Sequence, residues 1–220
     1  MRTAIFDLDG TLAETAPDLV TALNRTLGDI DIPPVDFEFA RRTAGMGSRA
    51  LIIFGLEAAN ATWSEQKVAA LQPAFLRHYE NCLTDETHLY DSVATQLEIL
   101  VDDNWRLGVC TNKPHVLAIT LLEQLGVLAY FHALIGAGAL PVRKPDPTHL
   151  LETITQAGGQ REKAILVGDT LNDVQTARNA GVPIALTSFG YALEPMEELA
   201  PDAVFHHYNE LIAVLDHLTL

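Results

Sequence analysis

The chain is poor in cysteine and in positive charge, and it has no long apolar run. Its 220 residues include two cysteines, Cys82 and Cys110. Two are too few for a disulfide scaffold or a zinc cluster, and inert thiols in a cytoplasmic protein are the simplest expectation. Lys and Arg number 14 against 29 Asp and Glu, a formal net charge of −15. A surface of that sign does not coat nucleic acid or anionic membrane non-specifically. The longest apolar stretch, residues 133–142, is broken by Gly136, Gly138 and Pro141, and the apolar run at the N-terminus stops at Asp7. Neither a bilayer span nor a signal peptide is expected. The only adjacent histidines are His206 and His207, and neighbouring positions do not point at one metal, so solvated or capping roles are expected. No internal repeat or low-complexity tract is present.

What the chain does have is a large apolar fraction, 48%, in a regular arrangement. Short apolar runs at 3–6, 107–110, 133–136, 164–167, 183–186 and 203–205 read as strands. Amphipathic patterns at 17–27, 93–101, 115–125, 148–157, 172–180 and 209–218 read as helices. Gly126, Gly158 and Gly181 stand where helix C-caps are expected. Continuously apolar strands alternating with helices imply a parallel sheet covered on both faces, an α/β doubly wound core. Residues 15–82 break the rhythm. Helices are expected at 36–43 and 48–56, with a longer one reaching Cys82 behind a Thr62-x-x-Glu65 capping box. This block is either an ordinary run of helices or a small lid inserted into the core. Trp63 and Trp105 are expected to pack inside.

In an open parallel sheet ligands bind beyond the carboxyl ends of the strands, so the residues after each strand carry the chemistry. Asp7-Leu8-Asp9-Gly10-Thr11 follows the first strand and Thr111-Asn112-Lys113 the second. Arg143-Lys144-Pro145 opens the helix after the third. Gly168-Asp169-Thr170-Leu171-Asn172-Asp173 follows the fourth. Any one of these is weak, because an Asp at a strand end is often a turn or N-cap residue. Together they bring four acids, a hydroxyl and a lysine to one edge. Crowded carboxylates need a cation, and oxygen ligands suit a hard divalent ion, most plausibly Mg2+. The lysine and the hydroxyl point to an oxyanion as the other partner, and Mg2+ with phosphate is the simplest pair.

DLDGT, TN, KP and GDTLND, in that order, resemble the four signature motifs of the haloacid dehalogenase superfamily. DGTLAETAPDL and VRKPDPTHLLETI resemble its phosphoglycolate phosphatase branch. The resemblance spans nearly the whole chain. It implies a Rossmann-like core formed by residues 1–14 and 83–220, with an α-helical cap, residues 15–82, inserted after the first strand. It implies a Mg2+-dependent phosphatase of small phosphorylated metabolites, with 2-phosphoglycolate first among them. Asp7 would be the nucleophile, and Asp9, on the same side of the extended segment, the general acid and base. Thr111 and Asn112 would contact the phosphoryl group and Lys144 would neutralise it. Asp7, the Asp9 carbonyl and Asp169 would hold the metal. Asp173 would hold a metal-bound water or orient Lys144.

In the insert, Gly45-Met46-Gly47-Ser48-Arg49 is a glycine-flanked turn at a helix start, which can offer N–H groups to an anion. Gly45 and Arg49 are therefore candidate substrate contacts, with Arg42 as an alternative carboxylate ligand; a plain interhelix turn with surface arginines is the bland reading. Two positions depart from the family. Glu14 stands where Asp is expected, and Ala139-Leu140-Pro141 replaces acidic residues. A β-phosphoglucomutase-like transferase would share the same core. A phosphonatase would want a cap lysine, and the only lysine of the insert, Lys67, lacks the context. A dehalogenase would have no use for Asp9 and the metal acids. Outside the superfamily, an aspartate-phosphorylated signalling receiver also uses acids, a Thr and a Lys at strand ends, but does not follow its nucleophile with an acid two residues on. Partners are expected to be a small phosphorylated metabolite, without nucleic acid or membrane, acting on a monomer or homodimer.

Overall fold

The structure is a computed structural model that describes residues 1–41 and 43–219, at Phe39 the backbone alone. In chain order the strands are β1 Thr3–Phe6, β2 Ala13–Glu14, β3 His88–Leu89, β4 Arg106–Pro114, β5 Ala133–Ala137, β6 Ala164–Gly168, β7 Ile184–Thr187 and β8 Ala203–Phe205. The α-helices are α1 Ala16–Gly28, α2 Phe37–Arg41, α3 Ser48–Ala58, α4 Glu65–Glu80, α5 Val93–Asp102, α6 His115–Gln124, α7 Pro147–Gln156, α8 Leu171–Ala180, α9 Met196–Leu199 and α10 Leu211–Leu218. Contacts divide the chain into two units, Met1–Ala13 with Leu89–Leu220, and Glu14–His88.

The first unit is built on a six-stranded sheet in the order β5-β4-β1-β6-β7-β8. All of its pairings are parallel. Every residue of β1 and of β6 is buried, as strands covered on both faces must be, and this is why they read as unbroken apolar runs. The fold is thus the expected Rossmann-like α/β sheet. Strand β1 pairs with β4 on one side and β6 on the other, Thr3 facing both Arg106 and Ala164. From β1 the strand order runs outward in both directions, so the segments leaving β1, β4 and β6 emerge side by side. That is the crevice where ligands bind in such sheets.

Helices α7 and α8 set the side chains that matter later. Helix α7 starts at Pro147 behind Asp146, whose carboxylate accepts the Thr148 N–H at 2.9 Å, an N-cap with proline at the position that tolerates it. It buries His149, Leu150, Thr153 and Ile154. Lys144 therefore lies in the loop before α7 and not at the helix start. Helix α8 ends on Gly181 at φ 67°, one of the glycine C-caps the sequence predicts. Trp105 is buried at 2% exposure, with the Arg2 guanidinium 4.5 Å from its ring centre.

The second unit is helical. Helix α1 packs on α4 and α3, and α3 packs on α4. Leu19, Leu23 and Leu27 of α1, Leu51, Ile52 and Leu56 of α3, and Val68, Leu71, Phe75 and Tyr79 of α4 form its core. Each such side chain contributes about 1.5–3 kcal/mol on burial. Asp18, 1% exposed, accepts the N–H groups of Glu86 and Thr87 at 2.8–3.1 Å. The capping expectation at Thr62 is corrected: the N-cap of α4 is Ser64, whose hydroxyl accepts the Lys67 N–H at 3.2 Å. Glu65 is the first helical residue, too early to close a box with Thr62. Trp63 is also not a core residue. It is 38% exposed, and its Nε1–H donates to Glu57 at 2.9 Å. Among the described residues, no helix is long and apolar enough to cross a membrane.

Candidate active site

Asp7 leaves the end of β1 with its backbone N–H still paired to Val167 O on β6 at 2.9 Å. Its carboxylate joins those of Asp169 and Asp173, one oxygen from each lying within 4.8 Å of the others. Asp169 is fixed from two loops. Thr11 Oγ1 donates to its Oδ1 at 3.0 Å and the Tyr191 N–H to its Oδ2 at 2.7 Å. Gly190 makes room for it: a Cβ there would stand 2.3 Å from the Asp169 Cβ. Gly10, at φ +78°, is needed twice over, because a Cβ would lie 2.2 Å from Asp169 Oδ2 and the conformation itself is left-handed.

Asp173, fully buried, serves its helix and the site together. Its Oδ2 accepts the Thr170 N–H at 3.1 Å and the Thr170 hydroxyl at 2.8 Å, the reach-back of a capping box. Its Oδ1 accepts Lys144 Nζ at 2.6 Å, and the same ammonium stands 2.9 Å from Asp7 Oδ2. The Lys144 side chain is 1% exposed. Its carboxylate neighbours hold it well above the ordinary lysine range in spite of burial.

One lysine does not balance three carboxylates. Burial, opposed by Lys144 and reinforced by Asp173 and Asp9, pushes Asp7 up from 3.8 to about 6. Burial and the charges of Asp173 and Asp7 push Asp169 well above the ordinary range. Asp7 Oδ1 is buried and has no hydrogen-bond partner. A buried carboxylate oxygen without a donor, among like charges, is the environment that a hard cation satisfies. The residues present therefore fit a divalent metal ion.

Asp9, two residues on, keeps different company. Its carboxylate is 17% exposed and pairs with Lys113 Nζ at 2.9 Å, whose side chain is 2% exposed. Lys113 received no role from the sequence, although it directly follows Thr111 and Asn112; that adjacency was the available signal. Thr111, 1% exposed, accepts the Lys113 N–H on its Oγ1 at 3.2 Å. Asn112 Nδ2 donates to the carbonyl of Lys144 at 3.0 Å, so this amide braces the lysine loop.

Asp7, Asp9, Thr111, Asn112, Lys144, Asp169 and Asp173 thus all belong to the α/β unit, at the ends of β1, β4 and β6 and in the loop before α7. Gly45 and Arg49 belong to the helical unit. Gly45 lies in a 3-10 turn, Ala44–Met46, and the exposed Arg49 guanidinium is paired with Glu65 of α4. Arg42 lies outside the described residues. Glu14, the departure from the family pattern, pairs with Arg41 of α2 at 2.5 Å.

Comparison with known proteins agrees with this geometry. The Haloacid dehalogenase-like hydrolase family profile matches residues 4–187. A phosphoglycolate phosphatase of Agrobacterium fabrum is 39% identical over 212 residues, covering 96% of this chain and 91% of the relative. One of Caulobacter vibrioides is 41% identical over 209 residues, covering 95% and 88%. A crystal structure from Haemophilus somnus, described as a "predicted phosphoglycolate phosphatase", superposes with a TM-score of 0.89 at 26% identity, covering 97% of both chains. The chain belongs to the haloacid dehalogenase-like hydrolases, and within them it is similar to the phosphoglycolate phosphatases.

Proposed function

We propose that this hydrolase is a Mg2+-dependent phosphatase of a small phosphorylated metabolite, 2-phosphoglycolate first, working through an aspartyl-phosphate on Asp7. The observation that carries the proposal is the different company of two carboxylates two residues apart. Asp7 lies among Asp169, Asp173 and Lys144, the surroundings of an ionised nucleophile facing an anion. Asp9 stands outside that cluster, beside Lys113, where it is available to move a proton.

Asp7 attacks phosphorus, the ester P–O bond breaks, and Asp9 gives its proton to the departing alcohol oxygen. A water then attacks the aspartyl-phosphate and gives a proton to Asp9. The bond from phosphorus to Asp7 breaks, releasing inorganic phosphate and restoring the carboxylate. The Thr111 hydroxyl donates to a phosphoryl oxygen while accepting from Lys113. Lys144 offsets the charge of Asp7 and of the phosphoryl group, and Asp173 keeps Lys144 in place. The carboxylates of Asp7 and Asp169 and the Asp9 carbonyl would hold Mg2+, with Asp173 beside them. Bound there, the ion supplies positive charge against the phosphoryl oxygens.

The helical unit is the proposed cap, closing over bound substrate and contacting its non-phosphate part through the Gly45–Arg49 turn. Phosphate release should be measured from 2-phosphoglycolate, sugar phosphates, nucleoside monophosphates and pyrophosphate, with Mg2+ and with chelator, using Asp7→Asn as control. Mg2+-dependent release from 2-phosphoglycolate is expected. Release from another ester alone would discard the substrate and keep the chemistry; phosphoryl migration on a sugar without release would favour a mutase.

A further inference from the structure

Lys144 sits in a loop, so its ammonium is only as well placed as its main chain. Two side chains hold that main chain. Asn112 Nδ2 donates to the Lys144 carbonyl at 3.0 Å, and the Lys144 N–H donates to His149 Nδ1 at 3.1 Å. His149 is 0% exposed, and its Nε2 lies 3.1 Å from the Ile135 carbonyl on β5. A carbonyl only accepts and a peptide N–H only donates. The ring therefore carries its proton on Nε2 and keeps Nδ1 bare. A second proton would set Nδ1–H against the Lys144 N–H.

Resting on the phosphatase reading above, we propose that His149 is a positioning residue of the reaction, whose neutral ring pins the main chain of Lys144 between α7 and β5 and releases it when Nδ1 is protonated. Burial and the Lys144 ammonium both lower the pKa of the ring below the ordinary histidine value. Asp146, at the start of α7, acts in the opposite sense. Helix α7 packs on β1, β4, β5 and α8. Of these, β1 and β5 carry no titratable side chain, β4 carries Arg106, Cys110 and Lys113, and α8 carries Asp173 and Arg178. Cys110 is itself pushed up to about 12 by burial and stays a neutral thiol.

The test compares His149→Leu, which packs but cannot accept the N–H, with His149→Asn, which can offer an oxygen near the place of Nδ1 and does not titrate. His149→Leu is expected to lower kcat about ten- to a hundredfold by misplacing Lys144, with a smaller change in KM. His149→Asn is expected to recover most of that loss and to show a weaker fall of kcat toward acid than the wild type. A folded Leu variant with wild-type kcat, or an Asn variant whose acid limb coincides with that of the wild type, would overturn the proposal.

Ring 15N NMR of the wild-type protein and exchange of the Lys144 amide decide the same point without turnover. A bare Nδ1 at neutral pH, and an amide that exchanges about tenfold or more faster in His149→Leu, are expected from loss of one hydrogen bond. A protonated Nδ1, or equal exchange rates, would overturn the clamp. Should the Leu variant not fold, the Asn pH profile and the wild-type ring spectrum decide. Should the wild type release phosphate from no ester, the phosphatase reading falls while the NMR arm still judges the clamp.

Discussion

Replacing Lys144 by Met keeps the length and apolar stem of the side chain and removes only its charge. The change leaves Asp7 and Asp173 facing each other, with the fully buried Asp169 beside them. Removing one partner of a buried ion pair costs about 3–5 kcal/mol, because the remaining charge is already desolvated. That is a large share of a total stability of about 5–15 kcal/mol. For a chain of this size it corresponds to a fall in Tm of roughly 6–20 °C. The loss also has a pH sign. Without the lysine, Asp7 loses the charge that opposes its burial, and Asp7 and Asp169 bind protons more tightly folded than unfolded, so the penalty grows as pH rises. Thermal unfolding in chelator should therefore show a larger deficit at pH 7.5 than at pH 5, and Mg2+ should return part of it at the higher pH. Turnover with Mg2+ should fall about a hundredfold or more, as expected for loss of a preorganised electrostatic contact. A Tm unchanged in chelator, or a deficit that shrinks with rising pH, would refute the assignment of Lys144 as the internal counter-ion.

Asp9→Asn should lower kcat by about two to four orders of magnitude in a protein that still folds, with a reduced Tm because the Lys113 ammonium, 2% exposed, loses its counter-charge; turnover close to wild type would exclude it as the proton carrier. In chelator, the carboxyl of Asp7, at 3.8 ordinarily and about 6 folded, should favour the folded state at low pH. That contribution is lost as pH rises through about 6 and is on the order of 3 kcal/mol by linkage. Urea titrations of wild type and Asp7→Asn should differ by this slope, and a difference of opposite sign would contradict the burial of Asp7. Asp18→Ala should destabilise the helical unit by about 1–3 kcal/mol for each orphaned donor and speed amide exchange at Glu86 and Thr87, which its carboxylate holds; unchanged exchange would remove Asp18 as the brace.

Much of the core was legible because its signals are local. Thr3–Phe6 and Ala203–Phe205 occupy the strands their apolar runs predict; the first is a central strand buried throughout, which favours an unbroken apolar run, and the second is an edge strand with Ala203 and Val204 half-buried. The acids at strand ends were legible because the sheet topology gathers them whatever the details of the loops. What stayed hidden was pairing across the chain. Lys113 meets Asp9 over a separation of 104 residues, and nothing in TNK announces that contact. Lys144 meets Asp173 over 29 residues, a contact expected only through the family resemblance, and nothing in KPDPTH announces the use of both His149 nitrogens. Asp173 carries two jobs at once, and the capping pattern at α8 is the same whether or not a lysine approaches from behind. The cap of α4 was misplaced because Thr62 and Ser64 are both good N-caps, and only the extended backbone at Ser64 decides between them. Trp63 shows the same limit, since an apolar side chain near a helix start can be spent on a surface contact.

In the proposed reaction Asp7 becomes phosphorylated. The direct measurement is an acid quench during turnover of 2-phosphoglycolate with Mg2+, followed by proteolysis and mass spectrometry. One phosphoryl group is expected on the peptide containing Asp7, removed by hydroxylamine and absent from Asp7→Asn. A turning-over enzyme whose phosphoryl group sits on another residue, or that releases phosphate equally well as Asp7→Asn, would contradict it.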